Sequence, residues 1–275
     1  MQYLPLLMTA SISTRGMKEA YYTDVEREQM YLDTLTTYIK LILKYPQYKI
    51  VFAENSGYDL SKIKNRLPEF DESQLEFISL DPEDFDITKG KGYNELLLIN
   101  QALQKSRLLV ENDGFVKITG RYPIYNVKYF IDKASQYISK GMNMYCDVKD
   151  HSIYRLLGLK WNARSFYSVL YGVNKKYYLD SIADRYVELN DYKGYLVEDM
   201  LYDVVKDKYL DGRNRYAGVV GGTFKVRFNR EPICGGLQGS RMDAWSFSAD
   251  QNSIKSKLKR LIGNWFRWFL PWVWF

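Results

Sequence analysis

The sequence predicts an α/β fold, a mostly parallel sheet flanked by helices, followed by an amphipathic C-terminal tail. Three observations lead there. Over residues 1–120, short apolar runs alternate with segments whose apolar residues recur at helical spacing. That β-α-β-α-β-α-β order is the signature of a parallel sheet. The composition, 46% hydrophobic and 26% charged over 275 residues, is that of a chain that folds. Residues 254–275 depart from the rest: they carry Lys255, Lys257, Lys259, Arg260 and Arg267, no acid, and the tryptophans Trp265, Trp268, Trp272 and Trp274.

The elements follow in order. Residues 3–12 read as a first buried strand, because the N-terminus lacks the basic start and long apolar run of a signal peptide. A turn at Ser13–Gly16 follows. Thr23 or Asp24 caps a helix running to about Lys44, with Tyr31, Leu35, Tyr38, Ile39 and Ile42 on one stripe and Pro46 as its stop. Residues 49–54 form a second strand, 59–66 a short polar helix and 75–80 a third strand. Lys89-Gly90-Lys91-Gly92 opens a helix from Tyr93 to about Leu109. Phe115–Thr119 is a fourth strand, and a helix covers 127–139. Strands are expected at 143–147 and 166–171, helices at 180–190 and 196–208, and a strand pair at 216–228.

Several function classes fall away on composition. Two cysteines, Cys146 and Cys234, make no disulfide framework, and a single histidine, His151, excludes any site that needs two. The 39 basic residues exceed 33 acidic ones only mildly, and the surplus gathers in the tail. A broad phosphate-tracking surface for nucleic acid is therefore not expected. No run reaches 18 apolar residues, so no spanning helix is expected either. The tail suits the surface of an anionic membrane, with cations for headgroups and indoles for the boundary. Docking on the body of its own fold is the alternative, and Pro271 ends any helix there.

Ligands of a parallel sheet gather beyond the carboxyl ends of its strands. The residues in that position are Thr14 and Arg15, Glu54 and Asn55, Asp81 onward, Thr119 to Tyr122, and Asp147 to Asp150. Within Lys117-Ile118-Thr119-Gly120-Arg121-Tyr122, the glycine turns the chain and Arg121 offers a rigid fork of donors suited to phosphate. Lys89, Lys91, Gly92 and Glu95 stand at a helix start, where bare amides and lysines favour an anion. The plainer readings are a strand-terminal turn and a basic glycine cap. Glu198-Asp199 opens another helix, as decoration or as a general base, with Asp199 the favoured member. Asp84-Phe85-Asp86 is an acidic loop or a divalent-cation clamp. Residues 232–241 form a glycine-rich loop that could serve as a lid.

The order of these pieces resembles glycosyltransferases of the GT-A fold, above all bacterial enzymes of cell-surface polysaccharide synthesis (O-antigen, capsule, lipopolysaccharide). Gly90-Lys91-Gly92 is similar to a G-K-G stretch of that family, Thr119-Gly120-Arg121-Tyr122 to a TGRY signature, and Glu198-Asp199 to an ED element that holds the base in inverting members. A looser likeness is to the galactofuranosyl-transferring domain of bifunctional O-antigen polymerases. The resemblance spans about residues 3–205. It implies a Rossmann-type nucleotide-binding half over 1–125, an acceptor half over 126–252 and a membrane-associating tail over 253–275. It further implies a hexosyltransferase that uses a nucleotide-sugar, a UDP-sugar in the first instance. The acceptor would be a lipid-linked or growing glycan at the cytoplasmic face of the inner membrane. On this reading Thr14, Arg15, Glu54, Lys89, Lys91, Gly92, Glu95, Thr119, Gly120, Arg121 and Tyr122 serve the donor.

The sequence departs from the family in one respect. The place where the family carries its metal-binding DxD is taken here by Thr119-Gly120-Arg121, while Asp84-Phe85-Asp86 comes one element too early. A Mn or Mg ion thus loses its usual ligands, and Arg121 with Lys89 or Lys91 is expected to supply fixed positive charge to the diphosphate. Two other classes compete: a nucleic-acid- or nucleotide-binding module, and a non-catalytic scaffold at the membrane.

Overall fold

In the computed structural model the described residues are 2–18, 20–150, 157, 164–210, 224–235 and 254–269. The strands are β1 (Leu6–Ala10), β2 (Ile50–Glu54), β3 (Leu75–Ser79), β4 (Gly114–Thr119), β5 (Met144–Tyr145), β6 (Val148–Asp150), β7 (Arg164–Phe166), β8 (Leu170–Asn174) and β9 (Phe224–Lys225). The helices are α1 (Asp24–Lys44), α2 (Ser61–Lys64), α3 (Lys91–Lys105), α4 (Arg107–Val110), α5 (Val127–Ile138), α6 (Lys175–Ser181), α7 (Val197–Leu210) and α8 (Ile254–Phe269). Seven strands form one sheet in the order β3-β2-β1-β4-β8-β5-β9, and β6 pairs with β7 apart from it. β3, β2, β1 and β4 run parallel; β8 is antiparallel to both β4 and β5. The fold class is the expected one, a mostly parallel sheet with helices on both faces.

The register follows from burial. All five residues of β1 and all five of β2 are buried, as a strand covered on both faces requires. One core lies between the sheet and α3, α6 and α7, holding Leu7, Val51, Leu98, Phe115, Tyr178 and Met200. The other lies between the sheet and α1 and α5, holding Leu6, Met8, Tyr38, Ile39, Phe52 and Phe130. α1 starts where expected: Thr23 and Glu26 form a reciprocal capping box.

Several boundaries differ from the sequence reading. The helix expected to reach Leu109 breaks after Lys105, because Ser106 turns its hydroxyl to cap a new turn, α4, at the Leu109 amide. The single strand expected at 166–171 is two, β7 and β8, parted by Tyr167–Val169. The helix expected over 180–190 is a 3₁₀ turn, Ala183–Glu188, preceded by α6. Of the strand pair at 216–228, Phe224–Lys225 is β9 and residues 211–223 lie outside the described residues, as do His151 and residues 236–253.

The tail helix α8 corrects one expectation. Arg267, read as a headgroup contact, points inward: its guanidinium holds Asp147 at 2.9 and 3.0 Å and the Phe228 carbonyl at 3.1 Å. Asn264 accepts the Glu231 amide at 2.9 Å beside it. The opposite stripe, Leu258, Leu261, Ile262, Trp265, Trp268 and Phe269, stays exposed, with exposed Lys257 and Lys259 at its flanks. The Lys255 side chain and Trp272 lie outside what is described. Among the described residues no helix is long and apolar enough to cross a membrane.

Candidate active site

The carboxyl ends of β1 and β4 lie side by side, with Thr9 opposite Thr119. Gly120 follows β4 because nothing larger fits: a Cβ there would stand 2.8 Å from the Thr9 carbonyl and 3.1 Å from the Tyr31 ring. That close approach carries Arg121 and Tyr122 over the edge of the sheet. Arg121 is only 8% exposed, its guanidinium stacks 5.2 Å from the Tyr122 ring centre, and its Nη1 is buried without a hydrogen-bond partner. Burial opposes the charge, yet Tyr122, Tyr31 and Glu95 outweigh it, and the pKa lies above the ordinary arginine value.

A second guanidinium sits nearby. Arg27 of α1 is 6% exposed; its Nε donates to the Ser11 and Ile12 carbonyls at 3.0 Å, and its Nη2 also donates to Ser11. Burial pulls its pKa down, Tyr31 raises it, and the Arg121 charge lowers it further. Sequence reading passed over Arg27, although it stands four residues before Tyr31 on the buried stripe of α1. A cation at a core position of an amphipathic helix was the available signal.

On the α3 side of the same edge lies a chain of polar contacts. Thr9 Oγ1 donates to Glu95 Oε1 at 2.8 Å, and Lys117 Nζ holds the same oxygen at 2.7 Å. Lys117 also donates to Thr119 Oγ1 at 3.1 Å and to the Ser168 carbonyl at 2.8 Å. The Ser168 hydroxyl in turn donates to Glu198 Oε1 at 2.6 Å. Burial pushes the Glu198 carboxyl up, partly offset by the Ser168 hydrogen bond and the Lys117 charge. Lys117 thus bridges Glu95, the Thr119 hydroxyl two residues before Arg121, and the Ser168 that holds Glu198, which places Arg121 and Glu198 at the two ends of one polar chain. Lys117 was the missed member; a fully buried lysine among Phe115, Val116 and Ile118 is out of place in a core strand unless it is paired.

Other expected residues are placed differently. Asp199, favoured above as the base, is exposed and accepts the Leu196 amide at 3.1 Å, a helix-start role, while Glu198 turns inward. Adjacent helix positions point about 100° apart, so only one could do so. Glu54 does not face a ligand: its carboxylate takes the Ile12 amide at 3.0 Å, the Ser56 amide at 2.9 Å, the Ser56 hydroxyl and the Tyr58 amide at 3.2 Å. It fixes the loops after β1 and β2. Thr14 and Arg15 are held at the outer end of the first loop, by Asp24 at 3.2 Å and by the Pro82 carbonyl.

The glycine-lysine turn is already filled. Asp191 Oδ2 accepts the Lys91 amide at 2.6 Å and the Gly92 amide at 3.3 Å. Gly90 has φ +92°, and a Cβ on it would lie 2.6 Å from Asp191. The anion expected at this helix start is thus the protein's own carboxylate, and Lys89 lies 5.8 Å from the Tyr93 ring centre. The two aspartates read as a possible cation clamp have protein partners. Asp84 takes a hydrogen bond from Gln101, Asp86 takes the Thr88 amide at 2.8 Å, and no group of three metal-ligating side chains is present among the described residues. A groove of about 510 Å³ lies elsewhere, between α8 and the Glu231 loop.

No family model matches the chain, and no curated protein matches it. Solved structures do. One is the galactosyltransferase LgtC in complex with donor and acceptor sugar analogs, at 10% identity and TM-score 0.45 over 75% of this chain and 70% of that one. A protein described as a nucleotide-diphospho-sugar transferase from Desulfovibrio desulfuricans G20 matches at 14% identity and TM-score 0.44, over 78% of each chain. Mouse xyloside xylosyltransferase 1 matches at 11% identity and TM-score 0.44, over 81% of this chain and 84% of that one. By its own strand order the chain is an α/β fold, a parallel β3-β2-β1-β4 half continued through an antiparallel β8.

Proposed function

We propose that the protein is a glycosyltransferase that takes a sugar from a nucleotide-sugar donor, with Glu198 as general base. The observation that carries this reading is one site with two opposite parts. A buried guanidinium with a spare N–H, Arg121, stands at the edge of the parallel sheet. A carboxylate with a raised pKa, Glu198, is linked to the same Glu95-Lys117 pair. In the reaction the acceptor hydroxyl oxygen attacks the anomeric carbon and the carbon–oxygen bond to the diphosphate breaks. The diphosphate leaves with the bonding pair, and the hydroxyl proton passes to Glu198. A single displacement of this kind inverts the anomeric centre. Fixed positive charge at Arg121 stabilises the leaving group as its charge develops.

The acceptor on this reading is a lipid-linked or growing glycan, met at the cytoplasmic face of the inner membrane. Supporting it is the exposed stripe of α8, flanked by Lys257 and Lys259 and complementary to an anionic surface. Each such cation contributes on the order of 1 kcal/mol. Removing the tail would orphan Asp147, so the test is Trp265→Ser with Trp268→Ser, and separately Lys257→Glu with Lys259→Glu. Both pairs should weaken sedimentation with anionic vesicles while the protein stays folded; equal sedimentation would remove the membrane from the proposal.

The transferase reading is tested by a thermal-shift screen against UDP, GDP, CDP, CMP and their sugars, followed by release of nucleotide from the best donor. Stabilisation by one nucleotide and release that stops in Glu198→Gln are expected. No shift with any nucleotide would defeat the reading.

A further inference from the structure

Two guanidiniums are buried at the carboxyl edge of β1 and β4, and neither has an ion-pair partner among the described residues. Arg121 is 8% exposed with Nη1 unpartnered, and Arg27 is 6% exposed with only its Nε and Nη2 engaged, on main-chain carbonyls. Tyr31 joins them: its hydroxyl takes the Ser11 amide at 3.0 Å beside the Arg27 contacts, its ring lies against Gly120 next to Arg121, and the Arg121 charge depresses the pKa of Arg27. Buried charge without a counter-charge is costly, and two like charges held together double the problem. The surroundings relieve it only in part: Asp24 favours the Arg27 charge and Glu95 the Arg121 charge, yet neither carboxylate forms an ion pair with either guanidinium among the described residues. The groups with the largest favourable influence on the two charges are phenols, Tyr31 on Arg27 and Tyr122 on Arg121. The one acidic group that influences Arg121, Glu95, spends an oxygen on Lys117 and Thr9.

We infer that Arg27 and Arg121 form a two-armed clamp for a diphosphate group, which binds there without a divalent cation. The inference rests on the transferase reading for the identity of the diphosphate, and goes beyond it in adding Arg27 and in dispensing with the metal. The chemistry is complementary. A diphosphate brings two or three negative charges and acceptor oxygens on both phosphorus atoms. Two guanidiniums bring planar forks of donors that need them. One competing place is already filled, since Asp191 occupies the α3 amides. Tyr22 carries a raised pKa from its burial, with Tyr122 adding and Arg121 opposing, and so remains a neutral hydrogen-bond donor beside the clamp.

The test is calorimetric titration of the full chain with inorganic phosphate, inorganic pyrophosphate and a nucleoside diphosphate, each in EDTA and each with Mn²⁺. Pyrophosphate and the nucleoside diphosphate should bind in EDTA, with little gain from Mn²⁺, and inorganic phosphate more weakly. Arg121→Gln should weaken both by about 10- to 100-fold, the loss of one charge-assisted contact. Arg27→Gln should do the same, but it also frees the Ser11 and Ile12 carbonyls. Arg121→Lys, which keeps the charge and loses the fork, is therefore the second variant, and an intermediate loss is expected. Binding that requires Mn²⁺, no binding under either condition, or binding untouched in Arg121→Gln overturns the clamp. The transferase reading stands or falls separately. Turnover of a nucleotide-sugar that needs Mn²⁺ would keep the enzyme and remove the clamp. Metal-free diphosphate binding without turnover would keep the clamp and remove the enzyme.

Discussion

Two regions of this molecule look alike in sequence and opposite in structure. The Lys89–Gly92 turn and the Gly120–Arg121 turn each join glycine to positive charge at the end of a strand-helix unit. In the first, the donors are spent: the amides of Lys91 and Gly92 already hold Asp191. In the second, they are not: Arg121 is buried with an N–H left over, and Arg27 joins it from α1. Positive character along the chain marks where an anion is wanted. Only the census of partners tells whether the protein has supplied that anion itself.

The largest effect expected concerns the carboxylate beside the second region. Glu198→Gln should lower the transfer rate by roughly 10²–10⁴-fold, the usual cost of a lost general base, with the fold intact. Asp199→Asn should leave the rate near that of the parent, since its carboxylate serves the Leu196 amide. Equal losses in the two variants would return the base to Asp199.

Stability and binding should separate the two turns in opposite senses. Asp191→Ala strips the cap from α3 and should lower unfolding free energy by about 1–2 kcal/mol, without weakening nucleotide binding. Arg121→Met removes a buried N–H that has no partner, a group that costs about 1–3 kcal/mol. Because the neighbouring phenols and Glu95 favour the charge that is also removed, Tm should change little, while nucleotide binding weakens by about 10- to 100-fold. Denaturant titration and calorimetry on the two variants check both halves. If Asp191→Ala weakens nucleotide binding and Arg121→Met does not, the roles of the turns are reversed.

The smallest effect is on pH dependence. The Glu198 carboxyl sits above its ordinary value of 4.5 because burial disfavours its charge, so the rate should climb with pH through a limb above that value as the base ionises. The Ser168 hydrogen bond favours the charged form, and Ser168→Ala should move the limb further up. A limb that stays put would show that Ser168 does not tune the base.

How much of this was legible in the sequence follows the same division. The parallel half was readable because β1, β2 and β4 are largely apolar runs between helical stretches, and Thr23 announces α1. Arg121 was readable because Gly120-Arg121 ends a strand. Glu54 and Asp191 were not, since a carboxylate that folds back on main-chain amides looks identical in sequence to one that faces a ligand. Arg27 and Lys117 left a signal, a charge on a core stripe, that only makes sense once its neighbours are known. The antiparallel insertion of β8 between β4 and β5 is a matter of long-range pairing, which no local periodicity encodes.

The most direct test of the central claim is a crystal structure of the protein with the nucleoside diphosphate that stabilises it most, grown without added metal. The expected result is phosphate oxygens within hydrogen-bond distance of Arg121 Nη1 and the Arg27 guanidinium, with Asp191 still on the α3 amides. Phosphates on the Lys91 and Gly92 amides with Asp191 displaced, or on a cation held by Asp84 and Asp86, would contradict it.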